Sequence, residues 1–357
     1  MQKDNLRTKE DENRKEVSSH NHIPSHGILL IHLLDQCNLR CKHCYMDSLN
    51  NSTTFLPKNI VNRTLKEIDD IEELGVKSVL LSGGEPFLYP YLSEILNSLP
   101  LNRRYEVRII TNGTMINETE VALLKQCNAS LQVSIDGPPE FHDEFRGMKG
   151  AFEKTSSGIE RAVNKGVSIS LLTTVCQDNY AYIPWIAEWA ITRSIKNIKI
   201  QPLSKMGRGL ALKNKKLSEP QMCDLFFLLS DLAVRYRSKG LQFTLGYQTR
   251  QFLLAHPCAA NACIGDKCHR KISREIKQLV IREDGTVLPE ISTINYKFAL
   301  GNVKERTLKQ MVPAYFAGKY EEFFQFCRET YDQIMPSWPY IFVPWDEIIA
   351  EKSDTLL

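Results

Sequence analysis

The stretch Asp35-Gln36-Cys37-Asn38-Leu39-Arg40-Cys41-Lys42-His43-Cys44-Tyr45 places three cysteines in the order C-x3-C-x2-C, directly after an apolar run over residues 27 to 34. A [4Fe–4S] cluster ordinarily takes four cysteine ligands. Three thiolates at this spacing therefore suit a cluster that keeps one iron open for a ligand that comes and goes. Structural zinc is the alternative for close cysteines in a reducing compartment.

Outward from this loop, the chain alternates short apolar runs with helical spacing. Residues 58 to 74 carry Ile60, Val61, Leu65, Ile68, Ile71 and Leu74 on one helical face and stop at Gly75, a common helix end. Strands follow at 76–81, 105–110, 131–135, 167–175 and 195–200. Helices are expected at 91–99, 118–126, 151–164, 180–192 and 218–238, the last with Ser218 as its N-cap and Pro220 in its first turn. Nearly continuous apolar strands between helices imply a parallel sheet buried on both faces. Six such units give an α/β fold, a partial (β/α)6 TIM-like barrel over residues 27–240. In such barrels functional groups gather at the C-terminal strand ends, where the cysteine loop falls.

The other strand ends carry motifs of their own. Ser82-Gly83-Gly84-Glu85-Pro86 follows the second strand, Thr111-Asn112-Gly113 the third, and Ser134-Ile135-Asp136-Gly137 the fourth. His142-Asp143, Arg146-Gly147 and Gly150-Ala151-Phe152 come next. In this order and spacing the chain resembles radical S-adenosylmethionine (SAM) enzymes over roughly residues 27 to 305, and within them the SPASM/twitch branch. The resemblance implies that Cys37, Cys41 and Cys44 hold a [4Fe–4S] cluster. It further implies that Tyr45, Gly83, Gly84, Glu85, Thr111, Asn112, Ser134 and Arg146 bind SAM. Glu85 would steady the SAM ammonium or the turn itself, Ser134 would meet a ribose hydroxyl or the SAM carboxylate, and Arg146 would pair with that carboxylate. Tyr45 would lie against the adenine or shield the cluster. The Pro202–Gly209 loop would offer Lys205 and Arg208 to an acidic group, against a plain reading as a flexible glycine loop.

The resemblance extends to a C-terminal region, 241–357, with a small twitch/SPASM-like appendage. Cys258, Cys263 and Cys268, spaced C-x4-C-x4-C, precede a hairpin with an Asp284-Gly285 turn. The family's cysteine after the hairpin proline is replaced here by Glu290, which puts a full set of auxiliary ligands in doubt. An auxiliary [4Fe–4S] cluster on Cys258, Cys263, Cys268 and Cys327 is one expectation, zinc or no metal another. Cys127, Cys176 and Cys223 read as core thiols, with Cys223 the candidate to return a hydrogen atom to a substrate radical. The tail around Trp338 and Trp345 carries no assignment.

Of 357 residues, 43% are hydrophobic and 24% charged, and the formal net charge is +3. This balance excludes a strongly basic nucleic-acid binder, and no apolar run approaches a membrane span. Ten cysteines without a signal-peptide hydrophobic region point to the cytoplasm. Residues 1–26, with His20, His22 and His26, read as a disordered polar tail. The implied partners are a substrate and an external one-electron reductant of the flavodoxin or ferredoxin type. The substrate is a ribosomally made peptide, to be epimerised or cross-linked, or a small cofactor precursor such as a tetrapyrrole. A peptide substrate would call for a separate recognition protein or direct capture, and a non-catalytic metal scaffold is the third reading.

Overall fold

The alternation of apolar and amphipathic segments builds one sheet with helices on its outer side. The computed structural model describes residues 27–48, 51–70, 75–100, 102–262 and 277–355. Parallel strands β1 (Gly27–His32), β2 (Val76–Ser82), β3 (Glu106–Thr111), β4 (Ala129–Ser134), β5 (Ile169–Val175) and β6 (Asn197–Pro202) lie side by side in chain order. The connecting helices are α1 (Lys58–Asp70), α2 (Leu92–Asn97), α3 (Glu118–Gln126), α4 (Pro139–Arg146), α5 (Ala151–Asn164) and α6 (Ile183–Thr192). Helix α7 (Glu219–Arg235) follows β6, and Ser218 and Gln221 form its capping box as the sequence suggests. This mixed α/β architecture on a parallel sheet is the one expected.

Three parts go beyond the six-unit reading. Strand β7 (Gln242–Leu245) adds in parallel to β6, so the sheet runs on past residue 240. Helix α4 occupies a stretch that begins with the turn-like sequence Gly137-Pro138-Pro139. The 280s hairpin does form, as β9 (Gln278–Ile281) and β10 (Thr286–Pro289), but it is not set apart as an appendage. Strand β9 pairs in parallel with β1, Leu29 opposite Leu279 and Ile31 opposite Ile281. With β11 (Gly301–Asn302) on β10, the sheet has ten strands in the order β11-β10-β9-β1-β2-β3-β4-β5-β6-β7.

The unassigned tail is ordered structure. A two-stranded piece pairs β8 (Gln248–Thr249) with β12 (Phe342–Val343). Helices α8 (Arg250–Ala255), α9 (Leu308–Ala317), α10 (Tyr320–Ile334) and α11 (Trp345–Asp354) complete the chain.

Strand side chains alternate between two faces. Leu29, Ile31, Val79, Leu81, Ile109, Leu131, Val133, Leu171, Ile198 and Ile200 are fully buried in the main core. Their neighbours Ile28, Leu30, Leu80, Ile110, Gln132, Ser134, Leu172, Thr174, Lys199 and Gln201 line one cavity of about 550 Å³. That face turns polar from β4 onward, which an apolar core would not tolerate. The expected polar tail and its three histidines lie outside the described residues, as do Cys263 and Cys268. Among the described residues no helix is long and apolar enough to cross a membrane.

Candidate active site

The cavity's upper wall is the cysteine loop. Cys37, Cys41 and Cys44 all line it, and all three are free thiols. Leu39 N donates to Cys37 Sγ at 3.4 Å, and Arg146 Nη1 donates to Cys41 Sγ at 3.7 Å. Burial pushes the Cys37 thiol up to about 12. Burial raises Cys41 as well, with the Arg146 charge pulling back. Among the described residues no three His, Cys, Asp or Glu side chains close on a single ion position. Three free thiols from one loop line one cavity beside the buried Arg146 guanidinium, a donor set that suits zinc or an iron–sulfur cluster.

Backbone contacts too short for a side chain hold the loop. Gly84 N donates to Leu34 O and Glu85 N to Gln36 O, both at 2.8 Å. A Cβ on Gly84 would lie 2.0 Å from Gln36 O. Gly83 and Gly84 serve a close approach of β2's end to the cysteine loop, and they also line the cavity. Glu85 does not line it. Its Oε1 accepts from Thr111 Oγ1 (2.7 Å) and Phe87 N (3.1 Å), and its Oε2 from Asn112 N (2.9 Å). Burial pushes this carboxyl up to about 7 against those three donors. Of the two roles offered to Glu85, the fold uses it for the turn.

Asn112 ties strand β3 to the loop, its Nδ2 donating to Asn38 Oδ1 at 2.8 Å. Asn38 donates in turn to Thr114 Oγ1 at 2.8 Å, so this loop residue belongs to the site although its sequence position carries no signal. Ser134 lines the cavity and its hydroxyl makes no hydrogen bond to a described residue, which leaves it open to a ligand. Tyr45 lines the cavity with its phenol oxygen 3.2 Å from His32 Nε2. Below, Glu283 Oε2 lies 3.8 Å from His32 Nδ1, and Glu283 is held at about 2 by His32 and Arg282 against its burial.

Helix α4 supplies the remaining support. Arg146 is buried, and its Nε donates to Asp136 Oδ2 at 2.6 Å. It is thus not a surface residue, and its Nε and Nη1 already have partners within the protein. Asp136, a turn former by its sequence, is its fully buried counterion and also accepts from Thr174 N at 2.9 Å. Phe145 O accepts from Lys42 N at 2.9 Å, and its ring stacks on His43 at 4.2 Å. The sequence signals for this helix are a start at Pro138-Pro139 and a left-handed Gly147 end (φ 71°).

Arg208 also differs from expectation. Its Nε donates to Cys41 O (2.8 Å) and its Nη1 to Asp47 Oδ1 (2.7 Å) and Ser48 O (3.0 Å). It braces the cysteine loop from the cavity wall. Cys223, the candidate hydrogen-atom donor, sits half-buried on α7 and is not among the residues that line the cavity. Cys327 is fully buried in α10, and Cys258 lies in the turn Pro257–Ala260; neither lines the cavity. Glu290, standing for the family cysteine, has φ 64° and accepts from Lys277 N at 2.8 Å.

The lower wall comes from the end of the chain. Lys277, Glu290, Trp345, Asp346, Glu347 and Ile349 all face the cavity. No local motif marks any of them as a substrate contact.

Residues 31–190 match the family described as the Radical SAM superfamily. The chain is 30% identical over 214 residues to Fe-coproporphyrin III synthase of Methanosarcina barkeri, covering 60% of this chain and 53% of that protein. It is 24% identical over 304 residues to a cysteine-type anaerobic sulfatase-maturating enzyme of Clostridium novyi, covering 77% and 76%. The chain spans about half the length of several of the curated relatives it matches. In fold it is similar to Streptococcus suis SuiB bound to S-adenosylmethionine, with a TM-score of 0.65, 18% identity, and coverage of 90% and 74%. The same protein bound to its precursor peptide SuiA superposes with a TM-score of 0.62 and 18% identity, over 84% of this chain and 67% of that one.

Proposed function

From the premise that residues 31–190 form a domain of the radical SAM superfamily, we propose that this chain cleaves S-adenosylmethionine reductively and uses the resulting radical on a peptide. The observation that carries the first part is the wall formed by Cys37, Cys41 and Cys44 beside the uncommitted Ser134 hydroxyl. When bound, a [4Fe–4S] cluster on these thiolates supplies the electron that breaks SAM to a 5′-deoxyadenosyl radical. The chain's own residues do the rest. Arg146 offsets the charge on Cys41, Gly83 and Gly84 let the loop close on β2, and Ser134 offers a hydroxyl to the nucleotide or its carboxylate.

The length of agreement supports the peptide. Likeness to the sulfatase-maturating enzyme runs over 77% of the chain, into the C-terminal region that supplies the cavity's lower wall. Likeness to Fe-coproporphyrin III synthase is more identical but shorter, covering 60%. A tetrapyrrole substrate is the second reading on that identity. Anaerobically reconstituted protein with dithionite is expected to yield 5′-deoxyadenosine from SAM, and Cys41→Ala to abolish it together with the cluster's absorbance. Turnover by the Cys41→Ala variant would refute the assignment.

A further inference from the structure

The charged side chains that line the cavity fall into two groups. Most are already committed within the protein. Arg146 is paired with Asp136, and Arg208 with Asp47. Lys277 Nζ donates to Ala259 O, and Glu290 accepts from Lys277 N. Glu347 accepts from Tyr247 Oη at 2.8 Å and from Lys216 Nζ at 2.6 Å. Two are not committed. Lys199, from the cavity face of β6, and Asp346, from the first turn of α11, make no ion pair or side-chain hydrogen bond with a described residue.

Their setting leaves both open to a guest. Asp346 lines the cavity and is itself exposed, while the surrounding protein pushes its carboxyl up, with Lys277 and Lys199 opposing. Burial likewise pushes the Lys199 amine down, with Asp346 opposing. Lys199 is half-buried and Asp346 exposed on the same cavity, each without a hydrogen-bonded partner among the described residues, so a guest with complementary groups would engage both at once. A guest with only carboxylates would satisfy Lys199 and be repelled by Asp346.

We propose that Lys199 and Asp346 are a two-signed substrate anchor, Lys199 taking an acidic side chain and Asp346 a basic one from a peptide segment in the cavity. The assignment rests on the peptide reading above and names the residues that select the segment. It disfavours polycarboxylates such as porphyrins.

The test measures binding of end-blocked glycine-rich hexapeptides to the cluster-loaded, SAM-bound protein by anaerobic calorimetry. One peptide carries a Glu and a Lys, one carries two Glu, one carries two Lys, and coproporphyrin III serves as the polycarboxylate probe. The mixed peptide is expected to bind the native chain about tenfold or more tightly than the others, the span of a charge-assisted hydrogen bond. Lys199→Gln is expected to erase the preference for Glu alone, and Asp346→Asn the preference for Lys alone, with Lys199→Arg and Asp346→Glu retaining them. Equal or tighter binding of coproporphyrin or the two-Glu peptide overturns the anchor, as does uniform weakening in both neutral variants. If those variants fold poorly, the peptide panel on the native chain decides by itself. 5′-Deoxyadenosine formation in the same preparation reports on the SAM-cleaving reading separately, so either can fail without the other.

Discussion

Arg146 shows how one residue carries several loads. Its guanidinium neutralises Asp136 in the interior and reaches the sulfur of Cys41. Arg146→Met leaves Asp136 buried without a counterion, and breaking a buried pair from one side costs about 3–5 kcal/mol. We expect a corresponding fall in the urea midpoint, with Arg146→Lys falling less. His142 supplies a pH signature. Burial, helped by the Arg146 charge, lowers its imidazole from 6.5 to about 3, while Nδ1 accepts from Asp136 N. The unfolded chain therefore takes up a proton that the folded chain refuses between these values. This contribution is complete above pH 6.5 and is lost as pH falls toward 3, amounting to at most about 5 kcal/mol. Unfolding free energies measured from pH 7 to 4 are expected to fall less steeply in His142→Asn, whose amide oxygen can still accept. An unchanged slope would remove His142 as the source of the pH dependence.

At the scale of elements, the site depends on three backbones meeting. The end of β1 passes into the cysteine loop, the β2 turn presses on it through Gly83 and Gly84, and the end of α4 presses from the other side. A Cβ on Gly147 would lie 2.5 Å from Arg40 O, and its φ of 71° already disfavours a side chain. Because the opposing atoms are backbone, they cannot swing away. Gly84→Ala and Gly147→Ala are each expected to lower iron bound per chain after reconstitution by about half or more, while far-ultraviolet circular dichroism keeps its native shape. Full iron loading in Gly84→Ala would show that the loop does not need this contact.

At the scale of the whole molecule, the C-terminal residues are part of the main sheet. Strand β9 covers β1, the strand that leads into the cysteine loop, and Val280 within it is fully buried. A charge there has no partner and costs several kcal/mol. Val280→Lys is expected to lower the unfolding midpoint of the entire described chain in one transition, read by both tryptophan fluorescence and circular dichroism. Two separated transitions would mean that the hairpin unfolds independently. The same continuity explains why Lys199 on β6 and Asp346 on α11, far apart along the chain, face one cavity.

What the sequence alone determined is what local chemistry dictates. The glycines at strand ends, the Ser218 cap and the alternation of strands with helices each express a constraint carried by neighbouring residues, and each is found where expected. Only the tertiary structure decided how charges are used. Glu85, Arg146 and Arg208 have the chemistry of ligand contacts, yet the fold gives them partners within the protein first. Conversely, Lys199 and Asp346 look like ordinary surface charges until the sheet and the last helix bring them to one cavity. Pairing of distant charges depends on which backbones meet, and that information is spread over the whole chain.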